Sequence, residues 1–135
     1  MRSGNIVVSN YQKKIKISRK WVSQVAATIL GKMKAAGELS IVLADNKYIR
    51  RLNRIYRHKD HATDVLSFPQ KRGRFYFSSI IPCLLGDVVI SVERAKSQAK
   101  EYGYSFKDEM AMLIEHGILH LLGLTHKEMK KWKRK

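Results

Sequence analysis

Cysteine occurs once, at Cys83, so no disulfide can close within the chain; a lone thiol suits a reducing compartment and reads as a small apolar side chain. Two prolines and eight glycines are too few for a disordered linker. No apolar run approaches the roughly 20 residues that a membrane span needs. The opening Met1-Arg2-Ser3-Gly4-Asn5 lacks the apolar stretch of a secretory signal. The expected location is therefore cytoplasmic, with no membrane partner. Acidic residues are also scarce: 11 Asp and Glu face 27 Lys and Arg, a formal net charge of +16. Adaptation to heat raises Glu alongside Lys, which is not the pattern here. An excess of this size favours a polyanionic partner, and nucleic acid is the expected one.

What is present suits one domain over residues 1–135, with a hydrophobic fraction of 44%, ordinary for a globular protein with a real core. The apolar run at residues 6–8 reads as a strand. Ser18 is a helix N-cap ahead of Val22, Val25, Ala26, Ile29, Leu30 and Met33, with Gly37 as the expected stop. Residues 39–44 form a continuous apolar run of strand length, as in a strand buried on both faces. Asp45 caps a second helix, whose buried side is expected at Ile49, Leu52 and Ile55/Tyr56. Along its flank, Arg50, Arg54 and Arg57 recur at four- and three-residue steps, with no acid at helical spacing to neutralise them.

A polar loop then leads to a strand at residues 64–68, and a basic, aromatic stretch at 71–79 suits an extra strand or hairpin arm. Another strand is expected at 86–91. Ser91 caps a helix with Val92, Ala95, Ala99 and Tyr102 inward, ending near Gly103. Ser105 caps the last long helix, which runs through Met110, Leu113, Ile114, Leu121 and Leu122 to Gly123. No internal repeat is present. Interleaved helices and strands indicate an α/β (α+β) fold, a small mixed sheet in a layered domain.

Chemistry concentrates in residues 116–126. His116 and His120 stand four apart, one turn apart on one helical face, so both can bind one ion. Gly123 permits a left-handed turn that folds His126 back toward them. Three imidazoles leave one tetrahedral position open, the pattern of a catalytic zinc, and a single Zn2+ is the leading candidate. A long zinc-protease motif has the same three-histidine spacing, H-E-x-x-H-x-x-G-x-x-H, but its glutamate base is replaced here by Gly117. Glu115 lies about 100° round the helix from His116 and points away. Peptide hydrolysis thus loses its base, whereas a metal ion that acidifies water and polarises phosphoryl oxygen suits phosphodiester cleavage in a basic chain. Glu109, two turns before His116, is a candidate acceptor for a ligand's second N–H, or else a solvated or capping carboxylate. His58 and His61 read as surface histidines before a second metal site.

These residues resemble the YbeY family of bacterial endoribonucleases, also called rRNA maturation factors. Three blocks carry the likeness. The first runs from Glu38-Leu39-Ser40 through Leu52-Asn53-Arg54-Ile55-Tyr56-Arg57 to Asp60 and Thr63-Asp64-Val65-Leu66-Ser67-Phe68-Pro69. The second is Leu85-Gly86-Asp87-Val88-Val89-Ile90-Ser91, and the third is His116-Gly117-Ile118-Leu119-His120-Leu121-Leu122-Gly123 with His126. The resemblance implies a small α/β domain, zinc on His116, His120 and His126, and cleavage of single-stranded RNA. It further implies work on ribosomal RNA at the small-subunit 3′ end and in small-subunit quality control. The family's functional arginine falls on Arg57, where a guanidinium can bind the scissile phosphate; a structural salt bridge to Asp60 or Asp64 is the alternative. Thr125 replaces the family's aspartate before the third histidine, and the chain ends in a short lysine-rich tail. Two rival readings remain at this point: a non-catalytic, zinc-containing ribosome-assembly factor, and a metallohydrolase of small molecules or peptides. DNA is not an expected partner.

Overall fold

The computed structural model describes residues 5–35, 37–69 and 84–123. Along the chain run β1 (Ile6–Asn10), α1 (Arg19–Lys32), β2 (Glu38–Ala44), α2 (Asn46–Arg57), β3 (Val65–Pro69), β4 (Leu84–Ser91), α3 (Val92–Tyr102) and α4 (Phe106–Leu121). The strands form one mixed sheet in the order β1-β2-β4-β3. β1 and β4 both pair with β2 in parallel, and β3 runs antiparallel to β4.

All four helices begin on the side chains that the sequence nominated. Ser18, Asp45, Ser91 and Ser105 each accept from a backbone N–H three residues on, satisfying a donor that the helix itself cannot. Helix α1 ends at Lys32, short of Gly37, because Lys34 takes a left-handed conformation (φ 53°) and its N–H bonds back to Gly31.

Strand alternation sorts the core into two layers. Leu39, Ile41, Leu43, Val88 and Ile90 face α1, α3 and α4, which contribute Val22, Leu30, Ala95, Met110, Ile114 and Ile118. On the opposite face Ala44, Leu66 and Val89 meet Ile49 of α2, with Tyr48, Leu52 and Phe68 packed around them. α2 is therefore alone on its side among the described helices. Its inward residues are Ile49 and Asn53, whereas Ile55 and Tyr56 are exposed, contrary to the periodic reading. The Asn53 amide donates to the His61 carbonyl at 2.9 Å, and Tyr56, one turn further on, stands at the rim of the interface with its ring edge-on to Phe68 at 5.5 Å. Tyr102 is likewise exposed at the end of α3. The expected strand or hairpin at 71–79, Cys83 and the lysine-rich end lie outside the described residues.

Candidate metal centre and RNA-cleavage cleft

Helix α4 can lie directly on the sheet because of Gly117. A Cβ there would come within 2.5 Å of Val88 Cγ1, closer than real Cβ contacts allow, and 3.3 Å of Val65 Cγ2, tighter than most. The same approach lets Ser67 Oγ donate to the Gly117 carbonyl at 2.9 Å, a buried bond from β3 to the helix backbone. Position 117 thus faces β-strands, and a glutamate base has no room there. This is the physical reason for the departure from the zinc-protease pattern.

With position 117 against the sheet, His116 and His120 turn into a cleft beside β3. Their ring centres are 5.0 Å apart and tilted by 42°. Two imidazoles sharing one tetrahedral zinc, each nitrogen at about 2.0–2.1 Å, place their ring centres roughly 5 Å apart, so this pair fits such an ion. The expected bend after the helix also forms: Gly123 has φ 82° and its N–H bonds to the His120 carbonyl. His126 and Thr125 lie beyond it, outside the described residues. Among the described residues no three histidine, cysteine, aspartate or glutamate side chains converge on one point. His58 and His61 are exposed; His58 closes α2 in a left-handed conformation, and His61 Nδ1 lies 3.2 Å from the Ala62 carbonyl.

The cleft that holds the two histidines is about 380 Å³ and is also lined by Arg57, Asp64 and Ser67. Arg57 ends α2, where the helix dipole favours a cation. Its Nη2 donates to the Ser67 carbonyl at 2.7 Å and its guanidinium lies 5.6 Å from the Phe68 ring centre. Asp60 engages the other arginines. Folding back from the loop after α2, it receives Arg50 Nε at 3.0 Å and lies 3.7 Å from Arg54. The hydrogen bond from Arg50 holds the Asp60 carboxyl below the usual carboxylate range. So an acid does meet the arginine stripe, from outside the helix, and it meets Arg50 and Arg54. These pairs are solvent-exposed and contribute little stability.

Three residues connect behind the cleft that sequence spacing did not join. Gln98 of α3 donates through Nε2 to Glu109 Oε2 at 2.8 Å and to Asp64 Oδ2 at 3.3 Å. Glu109 is 3% exposed, which excludes the solvated reading, and its Oε1 is buried with no hydrogen-bond partner among the described residues. Asp64 and His116 also line a second hollow, of about 540 Å³, on the other side. Asp64 thus lines both hollows, as His116 does, and is the carboxylate in the lining of the one that holds both histidines. Glu109 had a signal, its seven-residue step before His116; Gln98 had none.

A family model described as Endoribonuclease YbeY matches residues 7–135. The chain belongs to the YbeY family. Curated relatives with that same name include one from Alkaliphilus metalliredigens, 43% identical over 129 residues, spanning 92% of this chain and 83% of the relative. Another, from Carboxydothermus hydrogenoformans, is 46% identical over 124 residues, spanning 90% of this chain and 82% of the relative. The solution structure of a Thermotoga maritima protein aligns with a TM-score of 0.64 at 23% identity, over 96% of this chain and 85% of that one, and supports the fold. The mixed α+β architecture read from the sequence is therefore the fold of this YbeY-family chain. No described helix is long and apolar enough to cross a membrane.

Proposed function

We propose that this YbeY-family chain is a zinc-dependent endoribonuclease that cleaves single-stranded ribosomal RNA, with the small-subunit 3′ end as its substrate region, in the cytoplasm. The observation that carries the reading is one cleft shared by an imidazole pair of suitable separation, a guanidinium and a carboxylate, in a chain of net charge +16. The endoribonuclease name of the curated relatives disfavours a purely non-catalytic assembly factor. The absence of room for a base at 117 disfavours peptide hydrolysis.

In this reading His116, His120 and His126 hold the ion. Bound there, zinc would supply an acidified water and a Lewis acid for a phosphoryl oxygen. Arg57, anchored through one nitrogen to Ser67, offers its remaining donors to the non-bridging oxygens of the scissile phosphate. Asp64 takes a proton of the attacking water as the water oxygen bonds to phosphorus and the P–O bond to ribose breaks, and the leaving ribose oxygen takes a proton from solvent. Gln98, fixed by Glu109, holds Asp64 toward the cleft.

The test measures cleavage of a single-stranded ribosomal RNA fragment together with zinc content. His116→Ala should abolish cleavage and lower bound zinc, and Asp64→Asn should abolish cleavage while RNA affinity and zinc stay near wild type. Full activity of His116→Ala, free of contaminating nuclease, would refute the metal mechanism; full activity of Asp64→Asn would refute the carboxylate's role alone.

A further inference from the structure

The face of the sheet opposite the histidines carries its own hollow, of about 370 Å³, between α2 and the strands. Tyr48, Tyr56, Phe68, Leu52 and Val89 line it, and Asp87 is its charged member. Phe68 and Asp87 are directly opposite one another in the β3–β4 ladder, so both project on this face. We propose that this hollow is a subsite for one unpaired nucleobase of the RNA substrate, selecting a base with an N–H edge and guanine above the others. The proposal rests on the endoribonuclease reading and extends it to base preference.

Aromatic exposure is the first argument. Tyr56 is 61% exposed even though its ring meets Phe68 edge-on at 5.5 Å, and Tyr48 continues the series toward Tyr11 at 5.7 Å. A ring left open to water beside other rings is what a base stacks upon, and stacking tolerates any sequence context. Charge is the second. Guanidiniums lie over two of these rings, Arg51 over Tyr48 at 5.8 Å and Arg57 over Phe68 at 5.6 Å. Such a surface is complementary to a polyanion that carries flat rings, and single-stranded nucleic acid has both features.

Continuity with the cleavage cleft is the third. Tyr56 and Arg57 are consecutive, their Cα atoms about 3.8 Å apart, and Arg57 also lines the histidine cleft. Among the described strands β3 is at the edge of the sheet, so a strand of RNA that rounds this edge can give a phosphate to Arg57 and a base to Tyr56. Asp87 supplies the selection. An ionised carboxylate only accepts hydrogen bonds. Guanine presents N1–H and an N2 amino group side by side, matching both carboxylate oxygens; adenine and cytosine present an amino group without an adjacent ring N–H, and uracil a single ring N–H.

The experiment compares nuclease-resistant 2′-O-methyl oligonucleotides of about 12 nucleotides, one all-uridine and one with a single central guanosine, by fluorescence anisotropy on the zinc-loaded protein. Wild type should bind the guanosine form more tightly. Tyr56→Ala should weaken that binding about fivefold or more, fivefold being the low end of one lost base stack, and Tyr56→Phe should restore it. Asp87→Asn should bring the two oligonucleotides within about twofold of each other with the melting temperature unchanged. Equal wild-type affinity for both sequences, or unchanged binding by Tyr56→Ala, would overturn the subsite while wild-type cleavage of unmodified RNA leaves the parent reading standing. If wild type neither binds nor cleaves RNA, the endoribonuclease reading fails and the subsite with it. Loss of binding to an acidic ribosomal protein, with RNA binding intact in Tyr56→Ala, would assign the hollow to a protein partner and overturn the proposal.

Discussion

Helices α2 and α4 reach one cleft from opposite faces of the sheet, and they are built in opposite ways. α4 buries seven of its residues, among them Met110, Ile114, Gly117 and Ile118, and presents His116 and His120 from a helix pinned by the core. α2 buries only Ile49 and Asn53 and turns arginines and a tyrosine to solvent. The difference follows from what each must do. In the proposed function the α4 histidines share one ion and must keep a fixed separation, which suits a helix held against the strands at a position with no room for a side chain. Anion contact tolerates adjustment, and long guanidinium side chains work best where water and substrate reach them. The arginines at the last turn of α2 also gain from the helix dipole, which a thinly packed helix needs more than a buried one does.

If that division is right, damage to the two helices should separate into different readouts. The largest effect belongs to α4: His116→Ala should reduce RNA cleavage to background, measured with bound zinc by elemental analysis, while the circular dichroism spectrum keeps its helical content. Next comes α2. Arg57→Ala should lower kcat about 100-fold, with zinc content unchanged, and Arg57→Lys should not restore the rate, because a lysine cannot both keep the Ser67 contact and fork onto a phosphate. Arg54→Ala, whose contact is the exposed Asp60, should change kcat by less than about threefold. Equal losses at Arg54 and Arg57 would erase the distinction between cleft and stripe. Third, Gly117→Ala should destabilise the fold by about 1–3 kcal/mol through overpacking against Val88, read by urea unfolding. A stabilised Gly117→Ala would show that helix propensity outweighs the clash and that α4 is not locked as described.

The sequence disclosed most of α4 and least of α2, for one physical reason. In α4, function and packing share a local period: the four-residue histidine step, the serine cap at Ser105 and the left-handed turn at Gly123 are all short-range, and the structure has each of them. In α2 the deciding contacts come from elsewhere in the chain. Asn53 is buried against the His61 carbonyl and Asp60 folds back onto Arg50, so neither the exposure of Ile55 and Tyr56 nor the acid that meets the stripe follows from helical spacing. Gln98 illustrates the limit further. It joins Asp64, 34 residues away, to Glu109, and no spacing rule connects the three. The mixed sheet was expected, but its order β1-β2-β4-β3 depends on pairings across the whole chain.

The smallest effect probes how α2, with so little core beneath it, is held at its other end. Glu93 of α3 accepts the Asn46 backbone N–H at 2.8 Å, in the first turn of α2, and the Lys14 ammonium at 3.1 Å. The Asn46 hydrogen bond, followed by Lys14, holds the Glu93 carboxyl below its ordinary value. A carboxyl with a depressed folded-state pKa contributes stability that is present above its unfolded pKa of about 4.3 and is lost as pH falls through the folded value. Glu93→Gln keeps an acceptor for Asn46 but removes the charge at the helix N-terminus, so it should cost about 0.5 kcal/mol at neutral pH. That difference should shrink as pH falls below the unfolded value and through the lower folded one, because the wild-type carboxyl then becomes neutral as well. Urea unfolding of both proteins from pH 3 to 7 measures it. A cost independent of pH would mean that Glu93 acts by shape alone, and that α2 is anchored at its N-terminus by packing as α4 is.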